Sequence, residues 1–239
     1  AAVGSGDDKV MAFQYFACLS STKGNQVPFY PPKGYDADHF TLLLRQIEGV
    51  MRNGKFPHGP PLNYFGDIQC YDKAVEAKTG NRDCLFCCGM GPVDSDQPNL
   101  NHGWPSANYR RRQEMAWAHR YYIQGSLYFM ANDPRVPNIT RASAASFGYC
   151  KDEYAKHGNF PPQLYVRASN RLQGQSLLTQ NNIVNPQVKP DGVAMGCWTF
   201  DQHTMSRHKH PRPDPHDPTK TIEVAVNEGF FRAQLGTKG

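Results

Sequence analysis

The chain has 239 residues, with 26 Lys and Arg against 21 Asp and Glu and a formal net charge of +5. Hydrophobic residues make up 39% and charged residues 20%, and 21 Gly and 19 Pro are spread along it. Such a chain is loop-rich and globular rather than disordered, holds one large domain or two small ones, and buries a sizeable core. No apolar run approaches the roughly 20 residues of a membrane-spanning helix. No long Lys/Arg run marks a nucleic-acid surface, and the triplet Arg110-Arg111-Arg112 reads as a solvated helix face.

Residues 9–19 are apolar at both even and odd positions, which suits a strand covered on two sides. A loop follows, with a turn at Lys23-Gly24-Asn25. Asp36 or Asp38 then caps a helix whose apolar face is Phe40, Leu43, Leu44, Ile47 and Met51, ended by Asn53-Gly54. The chain from 54 to 105 is dense in Pro, Gly, Asn and Asp, far longer than an ordinary loop, and holds Cys70, Cys84, Cys87 and Cys88. It reads as a disulfide-tied excursion. Cys84 and Cys87 also have zinc-ligand spacing, but no second tight pair accompanies them.

Ser106 opens the longest helix, which runs to about Ala131 and carries Tyr109, Met115, Trp117, Tyr121, Leu127, Tyr128 and Met130. It reads as a core helix, with the walling of a flat ring as the alternative. Asp133-Pro134 stops it, and Thr140–Phe147 is a short helix ended by Gly148. After Pro161-Pro162, the stretch from Gln163 to Gln180 reads as strand, tight turn at Gly174, strand. Residues 181–192 are loop, 193–200 a strand, 207–218 an extended His- and Pro-rich surface loop, and 221–226 a last strand.

The seven cysteines, Cys18, Cys70, Cys84, Cys87, Cys88, Cys150 and Cys197, are all disulfide candidates. With the sequon Asn138-Ile139-Thr140 they favour a secretory, oxidising compartment and glycosylation at Asn138. An odd count leaves at least one thiol free or bonded to another chain. A start at Ala1 without Met fits a processed N-terminus.

Two features carry candidate chemistry. Arg167 and Arg171 lie between apolar runs, and an arginine entering a packed region needs an acceptor. They are either ion-paired struts or a pair of forked donors for an anionic ligand. His203 follows the predicted strand, two residues after Asp201. On extended chain the two share a side, so Asp201 can fix the imidazole tautomer of an acid–base histidine; the alternative is a strand-end histidine satisfied by a neighbour. His157 reads as part of a turn. No metal site is assigned. No Gly-x-Ser-x-Gly, His-Glu-x-x-His or phosphate loop is present, which removes the common hydrolase readings.

The run Leu164-Tyr165-Val166-Arg167, with Arg171, Gly174 and Thr179 after it, resembles a segment of a family of FAD-dependent oxidoreductases. Further pieces fall in the family's order: residues 9–13 and 18–19, Val27-Pro28-Phe29, Gly34-Tyr35-Asp36, residues 42–45, residues 131–137, residues 151–154, Asp201 with His203, and Asn227-Glu228-Gly229. The chain departs from the pattern at Ala168 and Asn170. The resemblance implies a flavoprotein in which Arg167, Arg171 and Gly174 lie toward the cofactor, and Asp201 and His203 handle a proton. The family's glycine-rich strand–turn–helix for the FAD diphosphate has no counterpart in Gly4-Ser5-Gly6 or Gly89-Met90-Gly91-Pro92. The chain thus resembles the middle, substrate-side region, with FAD held mainly by other segments or by another polypeptide.

The expected fold is α+β: one unit over 1–239, with a mixed, largely antiparallel sheet, several helices and the Cys-bearing loop region at 54–105. The expected function is the substrate-side portion of a secreted FAD-dependent oxidoreductase-like protein acting on a small molecule. The alternative is a non-catalytic, disulfide-tied binding or structural subunit on the same scaffold.

Overall fold

The computed structural model describes residues 8–53, 68–70, 83–86, 93, 95–170, 172–177, 179, 182, 192, 203–215 and 217–228. Five strands form one sheet: β1 (Ala17–Ser20), β2 (Gln26–Val27), β3 (Ile68–Cys70), β4 (Asp83–Phe86) and β5 (Gly148–Cys150), in the order β2-β5-β1-β4-β3. Every pairing is antiparallel. Successive residues of a strand alternate between faces. Ala17, Leu19, Phe86 and Tyr149 therefore share one face, and all four are fully buried. On the other face Cys18 of β1 and Cys150 of β5 are joined by a disulfide, with their Cα atoms 5.4 Å apart.

The helices cover the buried face. Asp36 accepts from the Asp38 amide and starts a 3-10 turn, Ala37–Phe40, that runs into α1 (Thr41–Asn53). Phe40, Leu43, Leu44 and Ile47 are buried at the helical spacing read from the sequence, while Met51 at the end of that stripe is exposed. The long helix α2 spans Tyr109–Asn132. It starts three residues later than Ser106, because Trp104–Ser106 is a separate 3-10 turn and the Asn108 side chain caps the Arg111 amide at 2.9 Å. Asp133 ends α2, as Pro134 requires. Helix α3 is Asn138–Ala145 rather than 140–147, since Pro137 fits just ahead of a first turn and Gly148 belongs to β5. Gly125 of α2 is where Phe40 enters: a Cβ there would lie 2.2 Å from the ring's Cζ. That ring sits among Tyr35, Tyr121, Tyr122 and Phe129, with centroids 5.6 to 6.2 Å away.

Four stretches differ from their sequence reading. The excursion at 54–105 is not loop throughout, because it supplies β3 and β4, and β4 pairs directly with the central β1. Residues 9–16 are extended and buried on both sides, but among the described residues they form a single β-bridge, Gln14 with Tyr165. Beyond that bridge the stretch at 164–177 has no ladder among its described residues. In that register Arg167 would pair with Ala12, but the Ala12 carbonyl accepts from the Arg167 guanidinium and the Ala12 amide donates to Thr204 O. A side chain thus occupies the acceptor that the next ladder bond needs. Finally, residues 206–213 are not loop: β6 (Ser206–Pro213) pairs with β7 (Thr221–Glu228) as a two-stranded ribbon. Pro211 and Pro213 fall two residues apart, at alternate pairs, where a two-stranded ribbon turns its N–H outward and a proline forfeits no bond. The predicted strand at 193–200 lies outside the described residues.

Candidate functional site

The site is organised by the extended segment at 10–14, whose backbone is shared among three other parts of the chain. Ala12 N donates to Thr204 O at 2.9 Å, and Tyr165 N donates to Gln14 O at 2.9 Å. The Asn101 amide donates to the carbonyls of Val10 and Met11. His102 Nε2 lies 3.0 Å from Met205 O, and since a carbonyl only accepts, the imidazole donates. Buried main-chain groups need partners, and these pairings draw residues 95–102, 164–167 and 203–205 around one strip of backbone.

Asp96 is at the centre. Its Oδ1 accepts from Arg167 Nη1 at 3.0 Å, and its Oδ2 lies 2.5 Å from His203 Nδ1. The three side chains are 3%, 7% and 11% exposed, in the order Asp96, Arg167, His203. The same Nη1 reaches the carbonyl of Ala12. The Arg167 guanidinium lies 5.5 Å from the centroid of the Tyr165 ring, which in turn stacks on Phe16 at 4.3 Å. Next to Asp96, Ser95 Oγ donates to Gln14 Oε1 at 2.8 Å. A buried carboxylate with an arginine on one oxygen and an imidazole on the other is a paired charge, which is how such groups are tolerated in an interior.

A second histidine lies behind this cluster. His119 of α2 is fully buried, stacks on Phe13, and donates from Nδ1 to Met115 O at 2.7 Å. Its Nε2 has no hydrogen-bond partner among the described residues. Burial pushes the imidazole below its ordinary value, opposed by the Met115 bond and by the charge of Asp96. A neutral ring with its proton on Nδ1 satisfies these constraints.

Of the residues singled out in the sequence, Arg167 and His203 meet at one carboxylate. Asp201 and Arg171 lie outside the described residues. Gly174 is exposed, and a Cβ there would come within 4 Å only of Ser176 backbone. Sequence reasoning missed Asp96 and His119. Asp96 sits in the Pro- and Gly-rich excursion, where no periodicity marks a buried position, and its partner Arg167 is 71 residues away. The usable signal was the requirement that a buried arginine find an acid. His119 was hidden among the aromatics of α2, although its place four residues from both Met115 and Ile123 puts it on the buried stripe.

An FAD diphosphate needs a glycine-rich turn between a strand and a helix N-terminus. Among the described residues the three helices begin after Phe40, Asn108 and Pro137, none of them in such a turn, and the sheet is antiparallel. The described residues do not form that cradle, so no step is assigned through the cofactor. The family described as FAD dependent oxidoreductase matches residues 2–228. No curated protein and no solved structure matches the chain. With nearly the whole chain covered by that match, the chain belongs to the FAD dependent oxidoreductase family.

Proposed function

We propose that this chain is the substrate-side portion of a secreted FAD-dependent oxidoreductase, with FAD held mainly by segments outside this chain, such as a partner polypeptide. The observation that carries the reading is the Asp96 cluster. Asp96 takes the Nδ1–H of His203, fixing the tautomer and orientation of the ring. Nε2 is then the nitrogen that takes or gives a proton at a small-molecule substrate, while Arg167 balances the carboxylate charge. When bound, FAD supplies the redox chemistry. The exposed sequon residue Asn138 and the Cys18–Cys150 disulfide support a secretory origin.

A second reading has one observation in its favour. Arg167 and Asp96 are almost wholly buried, as a structural strut would be, which suits a non-catalytic subunit that keeps the scaffold. The visible absorption spectrum of natively purified protein, with mass measured under non-dissociating conditions, separates the two. The proposal predicts oxidised-flavin bands in the assembled protein. A colourless single chain would overturn it in favour of the strut.

A further inference from the structure

We propose that the hollow between the turn at residues 32–34 and one face of α2 binds a small aromatic carboxylate. The hollow shares no residue with the Asp96 cluster. Its volume is about 600 Å³, within the roughly 300–1,000 Å³ usual for small-molecule sites.

Its walls follow from the sequence of α2. Trp117, Arg120, Tyr121 and Gln124 recur at spacings of three and four residues, so they share one stripe of the helix. Tyr121 ties that stripe to the opposite wall. Its hydroxyl donates to Gly34 O at 3.4 Å and accepts from the Asp36 amide at 2.9 Å. The turn it holds closes with Tyr35 N donating to Pro32 O at 3.0 Å, and Gly34 has φ +73°, which glycine adopts without strain. The Arg120 guanidinium lies 5.4 Å from the Trp117 ring centroid and 4.8 Å from that of Phe160. Both walls are thus tied in place without a ligand, which lowers the ordering cost of binding.

Three features select the ligand. The first is a flat apolar surface. Trp117 is 56% exposed, and an aromatic ring laid against it buries apolar area and gains ring contact. The second is charge. Among the residues lining the hollow Lys33 is the only charged one, and Arg120 adjoins Trp117. Neither cation has a carboxylate partner among the described residues. The local field therefore favours an anion and disfavours a cation.

The third feature is an unmet donor. Gln124 lines the hollow and is 3% exposed. Its Oε1 accepts from Arg120 Nε at 3.1 Å, while its Nε2 has no hydrogen-bond partner among the described residues. The Tyr149 hydroxyl close by is also without a partner among them. A buried donor left without an acceptor is costly, and a carboxylate oxygen is an acceptor that a ligand brings. A flat apolar body carrying one carboxylate answers all three features.

The test uses the full chain as purified, labelled with nitrogen-15 at tryptophan. It has three tryptophans, and the Trp117 indole N–H is assigned through Trp117→Phe. The probes are 2-naphthoate and its uncharged counterpart 2-naphthylmethanol. Naphthoate should shift the Trp117 signal saturably, with a Kd of about 1 mM or tighter. The alcohol should bind about fivefold more weakly, as one lost solvent-exposed ion pair implies. Lys33 is exposed, so Lys33→Gln leaves the fold intact and should remove most of that preference. A Trp117 signal that naphthoate leaves unmoved, equal affinity for the two probes, or an undiminished preference in Lys33→Gln would overturn the proposal. None of these readouts depends on flavin, so the result stands apart from the reading of the Asp96 site.

Discussion

Asp96 is engaged on both carboxylate oxygens, by Arg167 on one and His203 on the other. Its two oxygens engage residues 71 and 107 positions further along the chain. Removing one member of a buried ion pair strands the other, a loss of about 3–5 kcal/mol. His119 shows the opposite arrangement, a buried histidine kept neutral. Its folded value is lowered, from an ordinary value of 6.5, mainly by burial. Below that pH the unfolded chain takes up a proton that the folded chain refuses, so stability falls as pH drops through this window. Above it both states are neutral and the residue contributes no pH dependence. In His119→Gln, urea unfolding from pH 7 downward should lose stability less steeply than wild type. The difference in slope is at most about 1.4 kcal/mol per pH unit for one proton. Parallel curves for the two proteins would show that His119 is not the group responsible.

Among the described elements, the 3-10 turn before α1 packs closely on Gly125 of α2. An alanine at 125 would gain roughly 1 kcal/mol of helix propensity. Its Cβ, however, would meet the Phe40 ring at 2.2 Å, and that ring is enclosed by four other aromatics. Overpacking of this kind costs about 1–3 kcal/mol, and at so short a contact the upper part of the range applies. Gly125→Ala should therefore lower the thermal midpoint, and Phe40→Leu in the same background should recover part of the loss. A more stable Gly125→Ala protein would mean that the ring turns aside freely.

The same contact shows what the sequence discloses. The α1 stripe was legible because four apolar residues recur at helical spacing, and the end of α2 because Asp133-Pro134 allows nothing else. β3 and β4 were not legible, being three and four residues long inside a Pro- and Gly-rich excursion where composition points to loop. β7 was legible as the last strand, but β6 was masked by its prolines, which a two-stranded ladder accommodates and an inner strand does not.

At the scale of the molecule, the described residues bring four distant stretches to one carboxylate: 10–14, 95–102, 164–167 and 203–205. None of these stretches is a long regular element. Local periodicity therefore reveals their individual character and nothing of their meeting. The match to the FAD dependent oxidoreductase family spans all four. The arrangement of acid, arginine and histidine is thus a property of the assembled chain rather than of any short motif.

Asp96 holds His203 by Nδ1 in the folded protein, and histidine side-chain NMR reads that contact out. With the imidazoles labelled with nitrogen-15 and His203 assigned through His203→Asn, the account predicts a His203 Nδ1–H protected from exchange with solvent. Asp96→Asn should shift or abolish that resonance, while far-UV circular dichroism at a temperature well below the midpoint shows the fold retained. A His203 ring whose proton resides on Nε2, or whose Nδ1 signal is untouched by Asp96→Asn in a folded protein, would contradict the account.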